Sequence, residues 1–184
     1  MTDEKPLRSD AQRNRERILT AAEEVFLERG SSASLEDVAK RAGVGIGTLY
    51  RRFPTREALL AAAYNSRFLC FAEASRAKAD EIDPISAVRN YLEELVVHTN
   101  IYRGFASSLG TVLQVGTPGC HATSDEGRRL LRRAQKAGSL RRDVTFDDLV
   151  CIATAISLAV EHDRSPRRRI AHLIDLFLEG ISTS

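Results

Sequence analysis

Apolar residues in this chain recur at helical spacing, one stretch after another, and nearly every stretch opens on a capping side chain or a proline and closes near a glycine. The 184 residues include only 11 glycines and 5 prolines, and most of these fall between the stretches instead of inside them. That punctuation predicts an all-α protein. A hydrophobic fraction of 43% is enough to fill a core, so the chain is not of the disordered class.

The boundaries follow from the caps. Residues 1–8 read as a loose polar arm. Ser9 then caps a first helix over about 10–29, with Gln12 completing a capping box and Ile18, Leu19, Ala22, Val25 and Phe26 on one face. Gly30 stops it. Ser34 caps a short second helix whose stripe is Leu35, Val38, Ala39 and Ala42, and Gly43 ends it. A third helix over about 46–52 has Leu49, Tyr50 and Phe53 as inward candidates. Pro54 forbids its continuation, and Thr55 caps a long fourth helix, about 56–79, suited to a strut between two domains. Asp83-Pro84 opens a fifth helix running to about His98, and a sixth covers about 101–115. Thr123 and Glu126 read as the capping box of a seventh, ending at Gly138. Thr145 starts an eighth, about 146–162, and Ser165-Pro166 a ninth, ending near Gly180. The expected architecture is therefore nine helices in two domains, 1–54 and 55–184.

Net charge is only +2, so a nucleic-acid partner must be argued from local charge. Cys70, Cys120 and Cys151 are odd in number and widely spaced, and no apolar signal stands at the N-terminus; a reducing, cytoplasmic setting is expected. No stretch approaches the ~18 consecutive apolar residues of a membrane span, and no membrane partner is expected.

The segment Leu35–Phe53 carries the functional signal. Two short helices meet at a glycine corner, Ala39 is small where they must approach, and Val44 packs under the turn. The second of them can enter a major groove ~12 Å wide. Gly45 and Gly47 leave its first turn bare, so that the backbone can come close to a base edge or a phosphate. Thr48 offers a hydroxyl and a methyl group, Arg51 and Arg52 suit guanine edges or phosphates, and the Tyr50 hydroxyl suits a phosphate. Arg56 opens the fourth helix, where amides and the helix dipole also favour a phosphate. Arg13, Arg15 and Arg17 on the first helix either reach a phosphate or the minor groove or form a solvated face.

On these residues the chain resembles the N-terminal domain of the TetR family of regulators. The matching stretches are Ile18–Gly30, Leu35–Val44, Gly47-Thr48-Leu49-Tyr50, Phe53 and Thr55–Leu60, with Ala137–Asp143 compatible further on. The resemblance implies a three-helix helix-turn-helix domain followed by a C-terminal helical domain that binds an effector and dimerises. It carries DNA contact onto Thr48, Tyr50, Arg51, Arg52 and Arg56; with Ser34 and Gly47 these make up the expected DNA-binding set. Arg56 stands where the family more often has lysine, and Gly45-Ile46 where it often has a polar residue, which shifts base readout toward Thr48, Arg51 and Arg52. Implied partners are a palindromic double-stranded operator, a second copy of the chain and a small-molecule effector; no cofactor is implied.

The eighth helix is apolar nearly all round, and with the ninth it is the expected dimer interface, the alternative being an intramolecular core. An effector pocket is expected between the fourth and eighth helices, lined by Phe68, Phe71, His98, Tyr102, Phe105, Leu109 and Leu113, with plain core as the competing reading.

Enzyme readings find no support. There is no phosphate-binding loop, Gly45-Ile46-Gly47 is too short for a nucleotide fingerprint, and neither H-E-x-x-H nor paired C-x-x-C occurs, so neither a catalytic nor a metal site is expected. Cys120-His121 is one pair, far short of a site. Arg128, Arg129, Arg132, Arg133, Arg141 and Arg142, with the run Arg167–Arg169, suit solvation and acid pairing, the alternative being a module that binds an acidic partner or a membrane surface.

Overall fold

The computed structural model describes residues 5–163 and 166–183. Within them the chain runs through α1 (Lys5–Arg29), α2 (Leu35–Ala42), α3 (Ile46–Arg52), α4 (Arg56–Ala79), α5 (Pro84–Thr99), α6 (Leu109–Gln114), α7 (Pro118–Lys136), α8 (Phe146–Val160) and α9 (Pro166–Ile181). Short 3-10 turns follow α1, at Gly30–Ser32, and precede α6, at Ala106–Ser108. The described residues thus hold the nine helices expected.

Three boundaries differ from the sequence reading. α1 already begins at Lys5, so Ser9 does not open it, and Gln12 donates from Nε2 to Glu16 Oε1 at 2.8 Å, one turn further on. The sixth helix is shorter than expected, because residues 101–105 form a loop ahead of the 3-10 turn. α7 begins at Pro118, capped by the Thr117 hydroxyl accepting from the Cys120 amide. Thr123 and Glu126 therefore lie inside α7 and are both fully buried. A capping threonine followed by proline starts the helix as soon as the chain leaves Gly116, and the later Thr-x-x-Glu spelling serves a buried polar cluster instead. Ser165, read as the cap of the ninth helix, lies outside the described residues.

The N-terminal helices enclose their own core: Ile18, Ala22, Val25 and Phe26 of α1 meet Leu35, Val38, Ala39 and Ala42 of α2 and Leu49 and Phe53 of α3, all buried. α2 is held open at its start by a complete capping box between Ser34 and Asp37. Arg41 ties α2 back to α1 by bonds to Glu24 and Glu28 of 2.8 to 3.1 Å.

α4 carries the chain from this core into the second one. It packs most extensively on α7, where a Cβ added at Gly119 would stand 2.4 Å from Asn65 O of α4, while Gly127 further along faces α5 and α8. At Gly127 an added Cβ would stand 2.3 Å from the Phe146 ring and 2.7 Å from Tyr91 Oη, so only glycine fits. α5 is tied to α9 by a bidentate Arg89–Asp175 pair at 2.6 and 3.1 Å. α8 buries Leu149, Val150, Ala153, Ile156 and Val160 against the core and leaves Cys151, Ala155, Leu158 and Ala159 exposed.

Candidate nucleic-acid interface and core cavity

α3 stands on two buried anchors, Leu49 and Phe53, and everything between and before them faces out. Ile46, Tyr50, Arg51 and Arg52 are exposed and Thr48 is half-buried. Tyr50 is 44% exposed, so it does not join the inward side with Leu49 as the apolar pattern suggested. Arg51 Nη2 donates to Thr48 Oγ1 at 3.3 Å, which lines these two side chains up along the outer face. A Cβ added at Gly45 or Gly47 would meet nothing within 4 Å. The fold itself thus does not require glycine there; the bare backbone is presented to the outside.

The remaining expected contacts lie differently. Ser34 sits at the start of α2 with its hydroxyl inside the capping box, accepting from the Asp37 amide at 3.0 Å and donating to Asp37 Oδ2 at 2.9 Å. Arg56 turns inward. Its Nη2 donates to Gly30 O at 3.2 Å, its Nη1 to Ala33 O, and its guanidinium lies 5.1 Å over the Phe26 ring. Burial pushes its pKa down, opposed by the charge of Glu57 beside it. The cause is local: the 3-10 turn after α1 aims the Gly30 and Ala33 carbonyls at the first turn of α4, and a guanidinium is the group that can donate to both at once.

The turn after α1 is also where the two cores meet. Gly30 has φ +56°, and a Cβ there would stand 2.5 Å from Arg103 O in the loop between α5 and α6. That loop is held from the other side by Glu161, at the end of α8, whose Oε1 accepts from the Gly104 amide at 2.6 Å. α8, the 101–105 loop and the helix-turn-helix are therefore in one line of contact.

The expected effector residues do not gather in one place. Phe71 and His98 line a cavity of about 420 Å³ between α4 and α5, together with Ala74, Ser75, Asn90 and Tyr91. Phe68, Leu109 and Leu113 are buried away from it, and Tyr102 and Phe105 line a separate, smaller pocket of about 170 Å³ beside Gly30 and Arg56. Tyr64, not picked out from sequence, organises the aromatic core here: its ring stacks on Phe105 at 4.2 Å, meets Tyr102 edge-on at 4.7 Å and Phe68 at 5.3 Å. It lies four residues before Phe68 on α4, so the same-face spacing was the signal for it. Tyr102 reaches on to Phe26 of α1 at 6.0 Å.

The cavity wall is mixed, with Lys78, Glu93 and Glu94 bringing charge to it beside Phe71 and Ala74. Tyr91 Oη donates to Thr123 O at 2.8 Å, and burial pushes its phenol far above the ordinary range. Burial also lowers the His98 pKa, against the nearby charge of Glu94, which keeps the imidazole neutral at pH 7. His98 Nδ1 is buried without a partner among the described residues. Cys120, half of the Cys120-His121 pair, is buried and donates from Sγ to Val112 O at 3.2 Å.

The family model "Bacterial regulatory proteins, tetR family" matches residues 18–63, and "Transcriptional regulator SbtR-like, C-terminal domain" matches residues 83–183. The HTH-type transcriptional regulator UidR of Escherichia coli K12 is 35% identical over 94 residues, 50% of this chain and 45% of UidR. The chain thus spans less than half the length of this curated relative. The TetR transcriptional regulator SCO0520 from Streptomyces coelicolor superposes with a TM-score of 0.55 at 32% identity, over 92% of this chain and 99% of that one. RolR, solved with its ligand resorcinol, superposes with a TM-score of 0.68 at 22% identity over 94% and 89%, a likeness of fold.

Proposed function

The chain belongs to the TetR family of transcriptional regulators, which are DNA-binding regulators and not enzymes, and on that premise we propose that it is a repressor released from a palindromic operator by a small-molecule effector. The observation that carries this reading is the outer face of α3, where Thr48, Tyr50, Arg51 and Arg52 project beside two glycines that no internal packing requires. In the proposed complex α3 lies in the major groove. Thr48, Arg51 and Arg52 reach base edges or phosphates, Tyr50 and the start of α2 at Ser34 contact the backbone, and Gly47 allows close approach. Arg56 supports the domain from within, through Gly30 and Ala33, in place of the phosphate contact read from its position.

A single recognition helix reads few base pairs, so a second copy is needed for a unique site. The apolar surface left on α8 and α9, with Leu158 at 47% and Leu176 at 53% exposed, supports a homodimer built from these two helices of each copy. The reducing cytoplasm, where DNA is reached, is the proposed location.

The α4–α5 cavity is the proposed effector site. Its wall mixes apolar and polar groups, Phe71 and Ala74 beside Asn90 and His98, and RolR, a protein of like fold, holds a small aromatic ligand. An effector favouring one spacing of the two recognition helices shifts the population toward it, by its differential affinity and no more. Two routes lead out of the cavity: along α4 itself, and from His98 into the 101–105 loop that abuts Gly30. The test is a pair of binding isotherms, by fluorescence anisotropy, on a duplex selected from a random pool, with and without each of a panel of small phenols, resorcinol first. A compound that raises Kd at least tenfold in the wild type, and not in a Phe71→Trp variant with the cavity filled, supports release. A compound shown by calorimetry to fill the cavity while leaving Kd unchanged contradicts it.

A further inference from the structure

Arg13, Arg15 and Arg17 alternate along α1 with nothing in the sequence to tell their roles apart, and the structure separates them. Arg13 is paired with Asp10, one turn back. Arg17 reaches Gly43 O at 3.4 Å and covers the end of α2. Arg15 turns the other way, toward α3. Between α1 and α3 lies a cleft of about 220 Å³, floored by Ile18 and rimmed by Asn14, Arg15, Thr48, Arg51 and Arg52. Among the described residues no carboxylate lines it, and none of the three arginines forms a salt bridge with a described residue. Three guanidinium groups around one concavity repel one another, and an anion seated among them removes that penalty. Asn14 and Arg15 are half-buried, so their side chains are already partly ordered.

We propose that this cleft is a seat for one phosphate of the DNA backbone, with Arg15 and Arg52 as its charged walls and the Asn14 amide as a neutral donor. The phosphate is one beside the bases that α3 reads, because Thr48, Arg51 and Arg52 belong to both surfaces. A backbone phosphate positions the protein and carries no sequence information, so Arg15 sets affinity and register while α3 sets specificity. This inference rests on the reading of α3 as the recognition helix, and the experiment separates the two.

The experiment measures binding of the full chain to a random-sequence duplex by anisotropy across a salt series, for wild type, Arg15→Ala, Arg13→Ala and Arg52→Ala. Alanine suits the interior of a helix, and circular dichroism verifies that α1 is retained. Loss of one phosphate contact lowers the slope of log K against log salt by about 0.9. Arg15→Ala is expected to show that change and Arg13→Ala the wild-type slope. A wild-type slope in Arg15→Ala beside a reduced one in Arg52→Ala overturns the phosphate seat and leaves the reading of α3 standing. Absence of duplex binding by the wild type overturns both. Inorganic phosphate is the second arm: a thermal shift by phosphate, against chloride of equal ionic strength, that depends on Arg15 without any effect of Arg15 on the DNA slope assigns the cleft to a free oxyanion and overturns the DNA assignment.

Discussion

Glu126 is a carboxylate with no exposed surface, set in the middle of α7. Burial pushes its pKa up, and this is outweighed by the bonds and charges of Arg129 and Arg76, which leave it below the ordinary value of 4.5. Arg129 donates from Nε at 2.8 Å and Nη2 at 2.9 Å, Arg76 from Nε at 3.2 Å, and the Ser75 hydroxyl at 3.3 Å. Because the folded pKa is the lower one, the stabilisation is complete above pH 4.5 and is lost as pH falls through the folded value. Glu126→Gln is expected to lower stability by about 1–3 kcal/mol at pH 7, and by progressively less below pH 4.5; urea melts at both pH values measure it. At this scale the sequence is readable where side chain and backbone decide alone, as in Ser34 and its capping box. It is not readable where a distant element decides. Thr123 and Glu126 spell a cap and are a buried cluster, because Thr117-Pro118 starts the helix first and α4 supplies Arg76. Arg56 spells a phosphate contact and binds two carbonyls, because the turn after α1 folds back onto α4.

The elements themselves were legible almost in full, since a helical apolar period with cap and stop needs no tertiary information. The exceptions are short: α6 is a fragment, since residues 101–105 are a loop shaped by Gly30 and Glu161, far away in the chain. That loop gives an element-scale test. Gly30→Ala forces a Cβ against Arg103 O and a positive φ on alanine, and is expected to destabilise by about 1–3 kcal/mol. A melting temperature lower by several degrees would show it. Glu161→Gln, which keeps an acceptor for the Gly104 amide but removes its charge, is expected to lower it less. The α8 and α9 surface gives another. Leu158→Asp with Leu176→Asp places charge on both exposed apolar positions, and sedimentation velocity is expected to show a monomer where the wild type is a dimer. Unchanged sedimentation would remove those helices from the interface.

For the whole molecule, the order and class of the helices followed from their pattern, but the cavity did not. Five of the seven residues expected to line it lie elsewhere: Phe68, Tyr102 and Phe105 pack around Tyr64, and Leu109 and Leu113 are buried away from it. A periodic pattern says which side of a helix is inward; where inward-facing helices fail to touch depends on pairings such as α4 with α7 and α4 with α5, which the pattern does not contain. The exposed face of α3, proposed to meet DNA, was more legible because the helix pair that forms it lies within 19 consecutive residues, from Leu35 to Phe53, whose arrangement is local. The central claim is that α3 reads DNA as one of a symmetric pair. Selection of binding sites from a random duplex pool by the full chain tests it most directly, followed by isotherms on the enriched duplex for wild type and the Tyr50→Phe, Arg52→Ala double variant. The expected result is a palindrome with half-sites about one DNA turn, ~34–36 Å, or a multiple of it apart, and at least a tenfold weaker Kd for a double variant that keeps the wild-type oligomeric state. An enriched site bound equally well by the double variant would contradict it.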